Sequence, residues 1–429
     1  MKRRSFLQAG MLSAFAFKAQ RTPRASEFSG PRKKLAALAA AYSLRSTADN
    51  LITRFLEGYW INHDYHQSPC DIASLYVEQF QAADISRRIS TAYCCPVMPS
   101  VSDALTLGTG ALAVDGVLLV GDSGRSPAGN GMAQGNLRFE FFEQVMAVFK
   151  KSGRSVPVFC EGYLSTNWDE ARQMYQRSRE MGFPLLAGSS APVTFRRPEV
   201  DYPLPAGFND ALLGDPVHHN DPLGVDFDEA LVIAPAAQSL RVMYSSLEVL
   251  QSFIERRRGG ETGIRSLECL VDSAVWNSAE EGRWSKDLML AALGRAERLG
   301  KGRPEEVEHP AVWLIEYNDG TRGAILFLGG LVHEYLAAFR IKGRREIDNT
   351  LCYIPPESRN DFSMLVHGIL QMMMTGKAPY PVERNLLAAG ALSILRKSMP
   401  GGFKRIETPA LRIAYNAPER SFYARGRGW

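Results

Sequence analysis

The sequence predicts a doubly wound parallel α/β sheet followed by an α+β domain with a largely antiparallel open sheet. Three observations carry that expectation. Apolar runs of strand length alternate with helix-spaced segments through the first two hundred residues. A stretch from 201 to 228, rich in Pro, Gly, Asp and His, then breaks the pattern. Beyond it the apolar runs follow one another as hairpins do.

The first strand falls at 34–42, a nearly continuous apolar run suited to burial on both faces. Residues 46–58 show helical spacing through Leu51, Ile52, Phe55 and Leu56, so a parallel unit opens there. A second strand fits 72–77, a helix 84–93, a short strand 96–99 and a helix 102–107. The strongest strand signal of this half is 113–121, followed by an amphipathic helix at 137–151, a strand at 156–160, a helix at 167–181 and a strand at 184–188. Six strands alternating with helices define a Rossmann-like sheet, with residues 31–198 as a nucleotide-binding domain. Residues 58–69 gather Tyr59, Trp60, His63, Tyr65 and His66, an aromatic and imidazole cluster that is a candidate for ligand contact near the ligand edge of the sheet.

The linker is placed at 201–228, inside a second domain of 199–429 that serves substrate binding and dimerisation. A helix fits 239–258 and strands fit 264–274, 309–317 and 322–328; Asn318, Asp319 and Gly320 join the last two as a tight turn. Long amphipathic helices fit 362–375 and 382–397. Trp276 and Trp284 are expected to cover the antiparallel sheet. An exposed face of that open sheet would imply a homo-oligomer, a dimer in the simplest case.

Lys2, Arg3 and Arg4 precede Ser5, Phe6, Leu7 and an uncharged, mildly apolar run at 9–17. That order predicts a twin-arginine signal within residues 1–30 and a periplasmic or other extracytoplasmic destination. The run is shorter than the ~20 apolar residues of a membrane span, so no stable span is expected unless the signal is retained. Residues 1–34 hold nine Lys or Arg against Glu27 alone, leaving 41 basic and 45 acidic residues in the remainder. The folded body is thus mildly acidic, and nothing in its charge points to nucleic acid. Six cysteines without a CxxC pair provide neither a disulfide scaffold nor a thiolate metal site.

Val156, Pro157, Val158, Phe159, Cys160 and Glu161 resemble the strand of the Gfo/Idh/MocA oxidoreductases that runs into a Glu-Lys-Pro motif facing the nicotinamide. Thr375, Gly376, Lys377, Ala378, Pro379 and Tyr380, with Pro381, Val382 and Glu383 opening a helix, resemble the late TGK-P segment of the same family. The domain order matches along nearly the whole chain after the signal. The resemblance implies NAD or NADP, held tightly, and hydride transfer at a secondary alcohol of a sugar or sugar-derived polyol. An NAD-dependent glycosidase, and a non-catalytic sugar-binding or regulatory protein that keeps the fold, are the alternatives.

Three departures shape the candidate site. The turn that carries G-x-G-x-x-G in the family is here Tyr42 to Thr47 without glycine, so Ser43, Arg45, Ser46 and Thr47 are the candidates to hold the phosphates at a helix N-terminus. Glu78, after the second strand, stands where the family places an acid on the ribose hydroxyls, an arrangement that favours NAD. Glu161 matches the family's glutamate, but Gly162 and Tyr163 replace its lysine and proline, leaving the Tyr163 hydroxyl for acid/base work. The resemblance implies a histidine on the helix from 239, where this chain offers Tyr244 and Glu248, four apart on one helical face. Tyr244 joins Glu161 and Tyr163 as a catalytic candidate, and Glu248 and Arg196 are substrate candidates.

Gly121 ends the 113–121 strand, and with Asp122 it is expected to open a strand-end loop over the cofactor site. With Ser123 and Gly124 they spell a tetrapeptide found in trypsin-like proteases, but after a parallel strand it lacks that chemistry's setting. His333 and Glu334 do not complete H-E-x-x-H, because position 337 is alanine. His218 and His219, with Asp215, Asp221 and Asp226, have no ligand spacing, and no metal is expected.

Overall fold

The structure, a computed structural model, describes residues 30–121, 137–202, 224–237, 239–356, 358–398 and 401–426. Residues 1–29, nearly all of the segment expected to be a signal, Asp122 with Ser123, and His218 with His219 lie outside the described residues.

The first half comprises β1 (Lys33–Ala39), α1 (Thr47–Glu57), β2 (Tyr59–Ile61), β3 (Asp64–His66), β4 (Cys70–Val77), α2 (Ser86–Tyr93), α3 (Val101–Thr106), β5 (Gly116–Val120), α4 (Leu137–Ser152), β6 (Val158–Glu161), α5 (Trp168–Glu180) and β7 (Leu185–Gly188). Five strands pair in parallel in the order β4-β1-β5-β6-β7. The sixth expected strand, 96–99, contracts to a single parallel bridge between Val97 and Leu75. Pro96 and Pro99 flank it, and a residue without an N–H cannot extend a ladder. Leu35 to Ala39 are fully buried, as the central position of β1 requires.

Residues 58–69 hold the β2-β3 hairpin, at the opposite edge from the one expected. α1 carries the chain back to the amino ends of the strands, and Gly58, at φ 84°, turns it into the hairpin beside the start of β4. Tyr59 there bonds His367 at 3.0 Å and stacks on His66, so the aromatic cluster packs away from the ligand edge.

The second half comprises β8 (Phe195–Arg197), β9 (Phe227–Ala234), α6 (Leu240–Ile254), β10 (Ile264–Val271), α7 (Ser273–Glu280), α8 (Lys286–Leu293), β11 (Ala311–Tyr317), β12 (Arg322–Phe327), β13 (Tyr335–Ile341), β14 (Ile347–Tyr353), α9 (Asp361–Thr375), α10 (Val382–Leu395) and β15 (Phe403–Glu407). Eight strands order as β15-β10-β11-β12-β9-β13-β14-β8, and only the β12–β9 pair is parallel. β9, central in this sheet, begins inside the stretch read as linker: Phe227 and Asp228 already belong to it. β8 pairs with β14, so this sheet takes in residues ahead of position 198.

One face of the eight-stranded sheet packs on α6 and α10, which lie between the two sheets. α9 crosses back to pack on α1. The other face is covered by α7 and α8: Leu231, Ile233, Val312, Leu326 and Leu336 are buried beneath Trp284, Leu288 and Met289. The face assumed open is therefore covered by its own chain over β9, β13 and β14. Trp284 is 1% exposed and donates its indole N–H to Val275 O at 3.1 Å. We expect Trp284→Ala to lower stability by about 3–5 kcal/mol in urea denaturation and, by baring the sheet, to promote self-association visible in size-exclusion chromatography.

Candidate functional site

Glu248, Tyr244 and Tyr163 come together, buried in the joint between the sheets. α6 is buried on nearly all sides, so a shared helical face here means a shared core position. The Glu248 carboxylate, fully buried, accepts the Ser189 N–H at 2.7 Å and the Asn385 side-chain N–H at 2.7 Å. Asn385 also donates to the Tyr244 hydroxyl at 3.2 Å, and Tyr244 packs edge-on against Tyr163. Burial, opposed by the Ser189 bonds and Arg384, pushes the Glu248 carboxyl up to about 7. Arg196 is likewise enclosed. Its guanidinium is sandwiched 4.0 Å from the rings of Phe253 and Tyr423 and donates to Val200 O, so it meets aromatic faces and not a substrate.

Glu161 ends β6, where the resemblance puts it, but its partner is one the sequence did not reveal. Arg138, on α4 and buried, donates to Glu161 O at 2.8 Å, Gly121 O at 2.7 Å and the Glu161 carboxylate at 3.1 Å. Its guanidinium also lies 4.3 Å from the Tyr163 ring. A Cβ on Gly121 would come within 2.6 Å of the Arg138 side chain, so glycine there makes room for the arginine. Glu161 and Gly121 thus meet as parts of an ion-paired plug at the carboxyl ends of β5 and β6.

The turn after β1 does form a helix N-terminus. Ser46 caps α1 by accepting the Asp49 N–H, and Arg45 adopts a left-handed backbone at φ 60°, the conformation a glycine usually supplies. Ser43 pairs with Asp84, and the Ile85 N–H bonds Tyr42 O, fixing the turn from outside. Asp49 accepts the Arg45 N–H at 2.7 Å, placing a carboxylate in the first turn. Glu78 is exposed after β4 and accepts the Tyr76 hydroxyl at 2.5 Å.

The missed element is a pocket of about 300 Å³ where the chain leaves β7 and β9, lined by Ser190, Arg241, Ser245, Arg298, His333, Tyr335 and Arg359 among others. It adjoins the α1 N-terminus directly, because Arg241 Nη1 donates to Thr47 Oγ1 at 3.2 Å. Arg359 forms a bidentate pair with Asp361, both bonds 3.0 Å, and Ser190 donates to the same carboxylate. Arg298 pairs with Glu334 at 3.3 Å. A larger cavity of about 570 Å³ lies at the amino end of β7, with Pro184, Pro379 and Pro381 in its walls; its carboxylate, Glu383, is already paired with Arg179. Open α/β sheets bind ligands at their carboxyl ends, so the smaller pocket is the candidate site.

A Rossmann-like sheet joined to a covered, largely antiparallel eight-stranded sheet is the two-domain fold of the Gfo/Idh/MocA-type dehydrogenases. The particular solved structures it resembles match at nearly full length. They include GenD2 from gentamicin A biosynthesis in complex with NAD (13% identity, TM-score 0.52, 90% of this chain and 99% of that one). Scyllo-inositol dehydrogenase from Lactobacillus casei gives 11% identity and TM-score 0.51 over 86% of this chain and 96% of that one. Myo-inositol 2-dehydrogenase from Lactobacillus plantarum gives 10% and 0.51 over 88% and 99%. No family model and no curated protein matches the sequence.

The residues fit one end of a dinucleotide better than the other. The α1 N-terminus, the Ser46 and Thr47 hydroxyls and the cation Arg45 suit phosphates. At the other end Gly162 stands where the resemblance implies lysine, and Arg138 occupies the Glu161 carboxylate.

The joint has a pH signature. Folded Glu248 holds its proton up to about 7, whereas the unfolded chain releases it near the ordinary 4.5, so between those values the folded state binds more protons. Stability should therefore fall as pH rises through that window, by about 3 kcal/mol in all. Urea titrations from pH 4 to 8 should show that decline in the native protein and a flatter profile in Glu248→Gln.

Proposed function

We propose that this protein is an oxidoreductase of the Gfo/Idh/MocA type that uses NAD or NADP on a sugar or sugar-derived polyol. The observation that carries the reading is the shared wall: Arg241 lines the small-molecule pocket and bonds Thr47 at the helix N-terminus suited to phosphates. A dinucleotide on α1 and a substrate in the pocket would then be neighbours. The nicotinamide, when bound, supplies the hydride acceptor. This chain's residues supply the rest: Ser46, Thr47 and Arg45 hold phosphate, and Ser190, Ser245 and Tyr335 offer hydroxyls to the polyol.

With Gly162 in place of a lysine, the proton of the reacting alcohol falls to another group. His333, exposed on the pocket wall, is that group in our reading, since imidazole is the usual proton acceptor near neutral pH. Export by the twin-arginine route belongs to the same proposal, because that route carries proteins already folded around a cofactor. Cell fractionation checks the address.

NAD and NADP should raise the melting temperature at millimolar concentration; no shift with either would sink the reading. His333→Gln should keep the shift and lower turnover by roughly 10²–10⁴-fold, read as the absorbance of the reduced nicotinamide. Asp49→Asn, which removes a carboxylate from the phosphate end, should tighten dinucleotide binding about two- to fivefold by calorimetry.

A further inference from the structure

The pocket's charge is unusual for a neutral sugar. Arg241, Arg298 and Arg359 line it; two of them pair with carboxylates outside the lining, Arg298 with Glu334 and Arg359 with Asp361, leaving one positive charge in excess. Both acids are committed. Asp361 takes two bonds from Arg359 and one from Ser190, and Glu334 takes the Arg298 guanidinium and the N–H groups of Glu297 and Arg298.

Arg241 is the cation left over, with no carboxylate partner among the described residues. It also stands in the first turn of α6, where Ser239 caps the helix by accepting the Arg241 N–H. A cation at that end opposes the helix dipole and is disfavoured by about 0.3–1 kcal/mol. A positive helix end, a guanidinium that bonds Thr47 but no carboxylate among the described residues, and two further guanidinium groups thus converge on one small cavity. Buried hydroxyls stand beside them: Ser190 and Ser245, and Tyr335, whose phenol burial pushes up to about 12 and so keeps as a neutral donor.

We propose that the pocket takes a sugar acid, a uronate- or aldonate-type monoanion, whose carboxylate is held by Arg241 while the serine and tyrosine hydroxyls meet its ring or chain hydroxyls. The planar guanidinium fork matches a carboxylate in two parallel hydrogen bonds. A single excess charge balances one carboxylate, whereas a phosphate monoester brings nearly two negative charges. The sugar skeleton rests on the oxidoreductase reading above; the anion does not.

Calorimetry on the full folded protein with sodium D-glucuronate, D-glucose 6-phosphate and D-glucose tests this. Glucuronate should bind at least about tenfold more tightly than glucose and more tightly than the phosphate ester. Arg241→Ala should weaken glucuronate at least about tenfold and leave glucose unchanged. Arg298→Ala, which leaves Glu334 its two backbone N–H bonds, should weaken it by a smaller factor, with circular dichroism checking that the variant is folded. Equal binding of glucuronate and glucose, binding of neither, or a preference for the phosphate ester would overturn the proposal. So would loss of glucuronate binding in saturating NAD, which would give Arg241 to the cofactor. Glucuronate that binds through Arg241 without reducing NAD supports the anion site and overturns only the redox reading.

Discussion

The structure turns on the buried polar seam between its two sheets. α10 and α6 cross there with almost no solvent on any side, and what they bury includes charge: Arg384 pairs with Glu255, and Asn385 bonds Glu248. Charges removed from water are tolerated only when each is paired and hydrogen-bonded. The seam meets that condition through residues from both halves, since Tyr380 donates to Ala187 O and Glu248 accepts from Ser189, both at the end of β7. Gly188 between them has no side chain because a Cβ would sit 2.7 Å from the Tyr380 hydroxyl and 2.9 Å from Glu248. These bonds from α6 and α10 to the end of β7 tie one sheet to the other.

That constraint reaches the candidate site in a short chain of contacts. Glu248 holds the backbone of Ser189; Ser190, next in sequence, turns toward the pocket and bonds Asp361; Asp361 holds Arg359 on the pocket rim. The seam and the pocket wall are one mechanical unit. Tyr244, Tyr163 and Glu248 act on the site through this framework and do not line the cavity.

Much of the parallel half was legible because strands buried on both faces are apolar throughout, and the helix-spaced run after Ser46 stood out between them. The central strand β9 was not, since its leading Phe227, Asp228 and Glu229 follow a Pro- and Gly-rich stretch and look like its continuation. Short alternating strands such as β14 gave too little periodicity to stand out. For the site, spacing identified that Tyr244 and Glu248 share a face of α6 but could not say what that face meets. The arginines were invisible for a different reason. The groups that explain Arg138 and Arg241 lie at Glu161 and Thr47, 23 and 194 residues away along the chain. The pocket also carries a local positive excess in a body whose remainder after residue 34 is acidic overall, so the composition pointed the other way.

Two arginines at the cleft hold a left-handed backbone, Arg45 at φ 60° and Arg359 at φ 50°. A non-glycine residue there costs of order 1 kcal/mol or more and persists only where its surroundings determine it. Both are so determined: Arg45 by its bond to Asp49 and the Tyr42–Ile85 contact, Arg359 by Asp361 and by Arg54, which bonds its carbonyl at 2.8 Å. At Arg45 this resolves the missing glycine. The turn keeps the backbone shape that glycine would permit and places a cation beside the helix end, so close approach of a phosphate is exchanged for a charge that attracts it. At Arg359 the same conformation turns a guanidinium to the pocket rim. In the proposed reading Arg45 would stand at the phosphate end of the cleft, and Arg359, held by Asp361, at the substrate end.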